Sequence, residues 1–244
     1  MLLGRHSRSW LTGVIAAMCP EIEPIQRRTR EAPLMGEGEL WRELVSCILG
    51  SRVPYHQALS ATQHLTSLGL LELAEHGGAG ARYEKNLRRA LAGTMPSAVP
   101  GAKPLRYRFP NLRADHIRRT AACIYEDGSS LVAVLESSSS DHEARARIVN
   151  LAVGIGPKQA SLFLRNIGYS DDLAVLDVHV LRYMAVIGLR GKPARPPASL
   201  IDYERAECLF RAHSREMGYP VGCVDIAVWI VMRLLPEALP SWAW

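Results

Sequence analysis

The apolar positions of this chain recur with helical spacing almost from end to end. In ELWRELVSCILG, from Glu39, Leu40, Leu44, Cys47 and Ile48 share one face and Gly50 stops the helix. Pro54 opens the next helix, with Ala58, Leu59 and Leu65 inward and Gly69 as its stop. Further helices are predicted over 70–75 and 81–92, followed by a connector carrying Pro96, Pro100, Pro104 and Pro110. Asn111 is then placed to cap a helix whose Ile117, Ala121 and Ile124 face inward. Ser140 and Glu143 have capping-box spacing, and Ala144, Ile148 and Leu151 form the apolar face behind them. Ser199 with Asp202 starts a helix that runs to Met217 and stops at Gly218. The last helix, GCVDIAVWIVMRLL, is apolar nearly all round, which predicts burial; it is too short and interrupted to span a membrane. At the N-terminus, Trp10, Leu11, Val14 and Ile15 read as a packing helix, since the apolar run is brief and broken by Gly13 where a leader would need more. A polar stretch, 21–31, follows it. No strand and no internal repeat is predicted, so the fold class is all-α.

The stretch 144–183 carries the chemistry. A helix there ends in a tight Gly154-Ile155-Gly156 turn, and a second helix opens on Pro157 and closes at Gly168. Two glycines around one apolar residue let the backbone reverse closely and leave N–H groups outward at a helix N-terminus, which is where a phosphate binds. Lys158 lies in the first turn, where the positive dipole end disfavours an ammonium and partial burial acts in the same direction. A neutral amine there is a nucleophile for a sugar C1′. Asp177 precedes the apolar helix 178–187 as a candidate N-cap, where negative charge is favoured, and His179 follows two residues later. Each feature also has an ordinary account: a helix-joining turn, a solvated lysine, a simple cap.

Taken together, GIGPKQASLFLRNIGY and LDVHVLRY resemble the helix-hairpin-helix DNA glycosylases of the endonuclease III superfamily, and most closely the archaeal-type 8-oxoguanine DNA glycosylase/AP lyases. RYRFPNLRADHIRRTAACIY and LWRELVSCILGSR are similar to the same family. The resemblance implies two helical subdomains with a DNA- and base-binding cleft between them. One spans 39–167 and ends in the hairpin; the other combines 168–244 with the N-terminal segment 1–38. It implies Lys158 as the Schiff-base nucleophile and Asp177 as the carboxylate that stabilises the sugar cation. Gly154, Gly156 and His179 would contact the DNA backbone, with a monovalent cation fitting the hairpin. Ser51 and Arg52 would occupy the loop that enters the minor groove beside the flipped base. The partner is double-stranded DNA carrying a modified base, met by a monomer with no membrane association.

Composition alters this picture little. The net charge of +5 has the sign a nucleic-acid binder needs, and only four of the 29 basic residues are lysine (Lys85, Lys103, Lys158, Lys192). The five cysteines (Cys19, Cys47, Cys123, Cys208, Cys223) lack the spacing of a zinc site or an iron–sulfur cluster, so no such cofactor is expected. Their scatter fits a reducing compartment, here the prokaryotic cytoplasm at the nucleoid. Two other functions stay open: a non-catalytic hairpin module, and a monofunctional glycosylase in which Asp177 activates water. For the substrate, 8-oxoguanine is favoured. The alternative is a hypermodified base such as the modified cytosine of phage DNA, because the chain ends in PEALPSWAW where the archaeal-type enzymes end on a basic residue. Trp242 and Trp244 could stack on such a flipped base or simply pack the tail.

Overall fold

The computed structural model describes residues 5–72, 80–191, 196–197 and 199–235. Among them are eleven helices: α1 (Arg5–Glu31), α2 (Glu37–Leu49), α3 (Tyr55–Ser67), α4 (Ala81–Ala92), α5 (Pro110–Tyr125), α6 (Leu131–Glu136), α7 (Asp141–Leu151), α8 (Pro157–Asn166), α9 (Val178–Ile187), α10 (Leu200–Glu216) and α11 (Val221–Leu234). The all-α class therefore stands. One correction is a two-residue antiparallel pair, β1 (Thr94–Met95) with β2 (Leu105–Arg106), inside the proline-rich connector. Met95 is fully buried on it, so this small ladder fixes a loop crossing rather than building a sheet.

The chain divides into two compact units, Leu34–Phe163 and Met1–Pro33 with Leu164–Trp244. In the first, Leu40, Trp41, Leu44 and Ile48 of α2 are fully buried together with Leu65, Leu87, Ile117 and Ile148. Trp41 meets Tyr125 edge-on, with ring centroids 5.6 Å apart, and truncating such a ring typically costs about 3–5 kcal/mol. Glu37 at the start of α2 accepts the Tyr125 hydroxyl at 2.6 Å and the Leu131 and Val132 amides at 2.9 and 3.0 Å, so one carboxylate closes the open N-terminus of α6. Burial and this carboxylate push the Tyr125 hydroxyl far above the ordinary phenol range.

In the second unit α1 packs along α11 through Leu11, Ile15, Cys19 and Ile22, and α9 adds Val180, Leu181 and Met184 to the same core. The inward face of α1 starts at Leu11, not Trp10, which is 56% exposed. The helix also continues through Pro20 and Pro24 to Glu31, so the polar stretch 21–31 is helical. Each proline removes one backbone bond, and the buried stripe of Leu11, Ile15, Cys19 and Ile22 offsets that loss. Two further expectations shift locally. Pro110 opens α5 as N1 with Phe109 at the cap, leaving Asn111 exposed in the first turn. Leu59 is only half-buried, because Ser60 turns inward to donate to the His56 carbonyl and accept from Ala98 N–H. Of the helix expected over 70–75, residues 70–72 form a turn and the rest lies outside the described residues. Among the described residues no single helix is long and apolar enough to cross a membrane, and all five cysteines are free thiols.

Gly168 is where the chain turns out of α8, with φ +73°, and a Cβ there would lie 2.3 Å from the Thr29 carbonyl oxygen. Both the left-handed backbone and the contact with rigid main chain oppose any side chain. Gly168→Ala is expected to cost at least about 2 kcal/mol of unfolding free energy, measured by urea denaturation. A loss of only a few tenths would show that the turn relaxes freely.

Candidate active site

The hairpin is formed as its residues dictate. Ser140 caps α7 by accepting Glu143 N–H at 3.2 Å, while the Glu143 carboxylate reaches the Ser139 amide at 2.8 Å. α7 ends at Leu151, and Gly154 reverses the chain with φ +79°. Intrahelical bonding in α8 starts with Ala160 N–H donating to Gly156 O, so the Lys158 and Gln159 amides precede the ladder. Gly154 is exposed, and a Cβ on Gly156 would meet nothing within 4 Å, so the outer side of the turn is open. Lys158 is half-buried in the first turn.

The buried side of the same turn rests on α5. Val153 N–H donates to Thr120 Oγ1 at 2.9 Å, and a Cβ on Gly154 would lie 2.0 Å from His116 Nδ1, so the glycine lies flat on the imidazole. His116 Nδ1 accepts from Arg113 at 2.9 Å, since a guanidinium can only donate, and Arg113 also donates to the Ser51 carbonyl at 2.7 Å. Burial first, then the Arg113 charge, lowers the pKa of His116, which keeps the ring able to accept. Tyr107 adds a bond to the Leu49 carbonyl at 2.6 Å, its hydroxyl pushed up to about 12 by burial. The loop so held contains Arg52, exposed at φ +60°, the one non-glycine residue with positive φ among the described residues. Backbone strain of that kind costs of order 1–2 kcal/mol and persists only where its surroundings enforce it.

Ser51, Arg52, Gly154, Gly156 and Lys158 therefore all belong to one unit, and Arg113, His116 and Thr120 on one face of α5 hold the Ser51–Arg52 loop and the hairpin turn in fixed register. The sequence reading missed these three residues. Their signal was a 3-and-4 spacing of polar side chains on the same face as Ile117, Ala121 and Ile124.

Asp177 and His179 lie in the other unit. Asp177 is the N-cap of α9, and a single oxygen, Oδ1, accepts both His179 N–H (2.8 Å) and Val180 N–H (2.9 Å). The orientation of the carboxylate is fixed through one oxygen, which leaves the lone pairs of the other for a further partner. His179 is half-buried behind it. The segment that leads to Asp177 is buried from Leu173 to Leu176, with its amides taken by side chains of α10 and α11. Trp242 and Trp244 lie outside the described residues.

The 8-oxoguanine DNA glycosylase family model, Ogg-HhH, matches residues 25–219. An 8-oxoguanine DNA glycosylase/AP lyase of Thermoplasma acidophilum is 32% identical over 209 residues, 84% of this chain and 87% of that protein. One from Sulfurisphaera tokodaii is 32% identical over 193 residues, 79% of this chain and 81% of that one. Among solved structures, the 8-oxoguanine DNA glycosylase of Methanocaldococcus jannaschii superposes with TM-score 0.66 at 22% identity, covering 93% of this chain and 95% of that one. The Thermotoga maritima 8-oxoguanine DNA glycosylase gives TM-score 0.66 at 25% identity, covering 92% and 96%.

The cap geometry makes a prediction about folding alone. Asp177→Ala should destabilise by about 1 kcal/mol, whereas Asp177→Asn, which keeps an acceptor at the same place, should cost under about 0.5 kcal/mol. Thermal unfolding of both variants checks it, and equal losses would show that charge rather than the hydrogen bonds makes the cap.

Proposed function

The chain belongs to the helix-hairpin-helix 8-oxoguanine DNA glycosylase family, and from that premise we propose a division of labour among its residues: Lys158 is the nucleophile, Asp177 the stabilising charge and the hairpin turn the backbone clamp. The protein is a bifunctional DNA glycosylase/AP lyase whose substrate is 8-oxoguanine in double-stranded DNA. A base inside a duplex is out of reach, so it is first turned out of the stack at a cost of a few kcal/mol. The hairpin takes hold of phosphates through main-chain N–H groups, a contact that positions DNA without reading it. Gly154 and Gly156 permit the approach because the one admits no side chain and the other faces open space. A monovalent cation at the turn fits the same reading, as does a phosphate contact from His179. Arg52, exposed and at positive φ, would enter the minor groove together with Ser51, a role its exposure supports.

The chemistry follows from charge. As the glycosidic bond breaks its electron pair leaves with the base, and the sugar becomes cationic. Asp177 stabilises that cation with the carboxylate oxygen that its cap bonds do not use. The Lys158 amine, having shed its proton, forms a bond to C1′ and the sugar ring opens to a Schiff base. Loss of a 2′ proton then expels the 3′ phosphate, and water returns the free lysine. The observation that carries this reading is Lys158 itself, half-buried in the first turn of α8 beside the open hairpin. Phosphate binding by main-chain amides needs no lysine side chain there, so a pure binding module leaves it unexplained.

Borohydride should trap a covalent complex between the protein and 8-oxoguanine or abasic-site DNA. Lys158→Gln should abolish the trapped species while leaving DNA affinity within a few-fold of wild type, and undiminished trapping would remove Lys158 from the role. Asp177→Asn should lower single-turnover excision by roughly 10²- to 10³-fold, the usual scale for a lost transition-state charge. Gly156→Val should fold normally yet weaken binding to the same degree on every sequence, and a sequence-selective loss would contradict a backbone clamp. No release from a duplex with 8-oxoguanine opposite cytosine would overturn the substrate.

A further inference from the structure

Asp177 is delivered by a length of chain that is neither helix nor strand and that runs through the interior. Buried backbone of this kind must find hydrogen-bond partners. Three consecutive amides find them on three different side chains. Ala174 N–H donates to Glu207 at 2.9 Å, Val175 N–H to Asp225, and Leu176 N–H to the Tyr203 hydroxyl at 3.0 Å. That hydroxyl donates in turn to the Ala174 carbonyl at 2.7 Å. Glu207, Asp225 and Tyr203 are 0, 2 and 3% exposed. Each carboxylate has an arginine: Arg165 of α8 lies 3.1 Å from Asp225, and Arg211 of α10 lies 3.6 Å from Glu207 and 2.9 Å from Asp172. The Arg165 guanidinium and the Asp225 carboxylate thus form a buried ion pair.

Burying carboxylates to satisfy amides is an expensive way to gain stability. Its advantage is precision, since each amide has one acceptor at one place. Asp225 stands apart from the other two because Asp177 and Asp225 feel each other's charge. Burial, the largest cause, pushes the Asp225 carboxyl up to about 6; Arg165 and the Val175 amide oppose the rise, and the Asp177 charge adds to it.

We propose that Asp225 is a positioning residue for Asp177, acting through the Val175 amide and kept in charge balance by Arg165, with Glu207 and Tyr203 completing the grip on the same segment. The inference rests on Asp177 being the charge that stabilises the departing sugar. With Asp225 ionised, Arg165 is neutralised and the negative charge of Asp177 acts unopposed on the sugar cation. With Asp225 protonated, the guanidinium opposes it. The groups that face Asp225 are Arg165 from α8, Asp177 at the start of α9 and the Val175 amide, with Glu207 and Tyr203 of α10 on the adjoining amides.

Asp225 holds its proton up to about pH 6 in the folded protein against an ordinary value of 3.8, so excision rises as pH passes through about 6. The linked contribution to stability runs the other way: the folded state binds the Asp225 proton more tightly, so this group's contribution is fully present below about pH 4 and is lost as pH rises through about 6.

The test is single-turnover excision at saturating 8-oxoguanine DNA, with Kd measured beside it, over a pH range that brackets the Asp225 transition. Asp225→Asn keeps an acceptor for Val175 N–H and loses the charge. It should excise roughly 10- to 100-fold more slowly than wild type above the transition, with Kd unchanged and the step in rate gone. Adding Arg165→Gln should recover part of the loss by restoring charge balance. A wild-type rate in Asp225→Asn, or a step that persists in it, overturns the proposal. If that variant fails to fold, Tyr203→Phe decides, since it removes one hydroxyl of the grip: slowed excision with the step retained supports the proposal, and an unchanged rate overturns it. An inactive wild type would sink the functional reading as well as this inference, which separates the two failures.

Discussion

A chain built of helices, with a single two-residue ladder among its described residues, has little sheet in which to place non-helical backbone, so buried connections turn to side chains to satisfy amides and carbonyls that no main-chain partner reaches. The connections around the candidate site all obey this constraint. Arg113 and Tyr107 hold the carbonyls of Ser51 and Leu49, Thr120 holds the Val153 amide, and Glu37 holds the start of α6. Glu207, Asp225 and Tyr203 hold the three amides before Asp177. Removing one of these partners leaves a buried group unpaired, at a typical cost of 1–3 kcal/mol, and also releases the segment that it held. Stability and site geometry thus depend on the same bonds.

This explains why so much charge sits inside so small a protein. Arg113, Arg145, Glu207 and Asp225 are all at most 3% exposed. Arg145 reaches Ser161 and His142, tying α7 to α8 beneath the hairpin turn. An apolar core of equal volume would be at least as stable as these buried pairs. It could not supply an acceptor for one particular amide, and that is what an unstructured loop requires if its tip is to stay in place.

The sequence made legible whatever depends on neighbours a few residues apart. The caps at Ser140, Asp177 and Ser199, the left-handed turns at Gly154 and Gly168, and the apolar faces of α2, α5 and α9 are short-range relations, and each lies where the spacing put it. The supports were not legible, because their partners are far apart along the chain: 62 residues from Ser51 to Arg113 and 50 from Val175 to Asp225. Asp225 nevertheless left a trace, as the lone acid in a helix otherwise apolar enough to read as core. A charge in such a place must be paired, and asking with what would have led toward Arg165. Trp10 misled for the opposite reason: hydrophobicity alone does not choose between two adjacent helical registers.

In the role proposed for it, Asp177 serves both fold and chemistry. A cap that spread its two bonds over both oxygens would occupy the whole carboxylate edge, and binding a sugar cation would then compete with keeping α9 in place. Here Oδ1 takes both amides, so the helix is capped whether or not a substrate is present. The other oxygen can meet developing charge without breaking a structural bond, and so without reorganisation at the moment of reaction, the condition under which fixed charge is most effective. The proposed role requires the backbone just before Asp177 to be immobile, since a shift there would reorient the carboxylate. The buried amides of Ala174, Val175 and Leu176 supply that immobility.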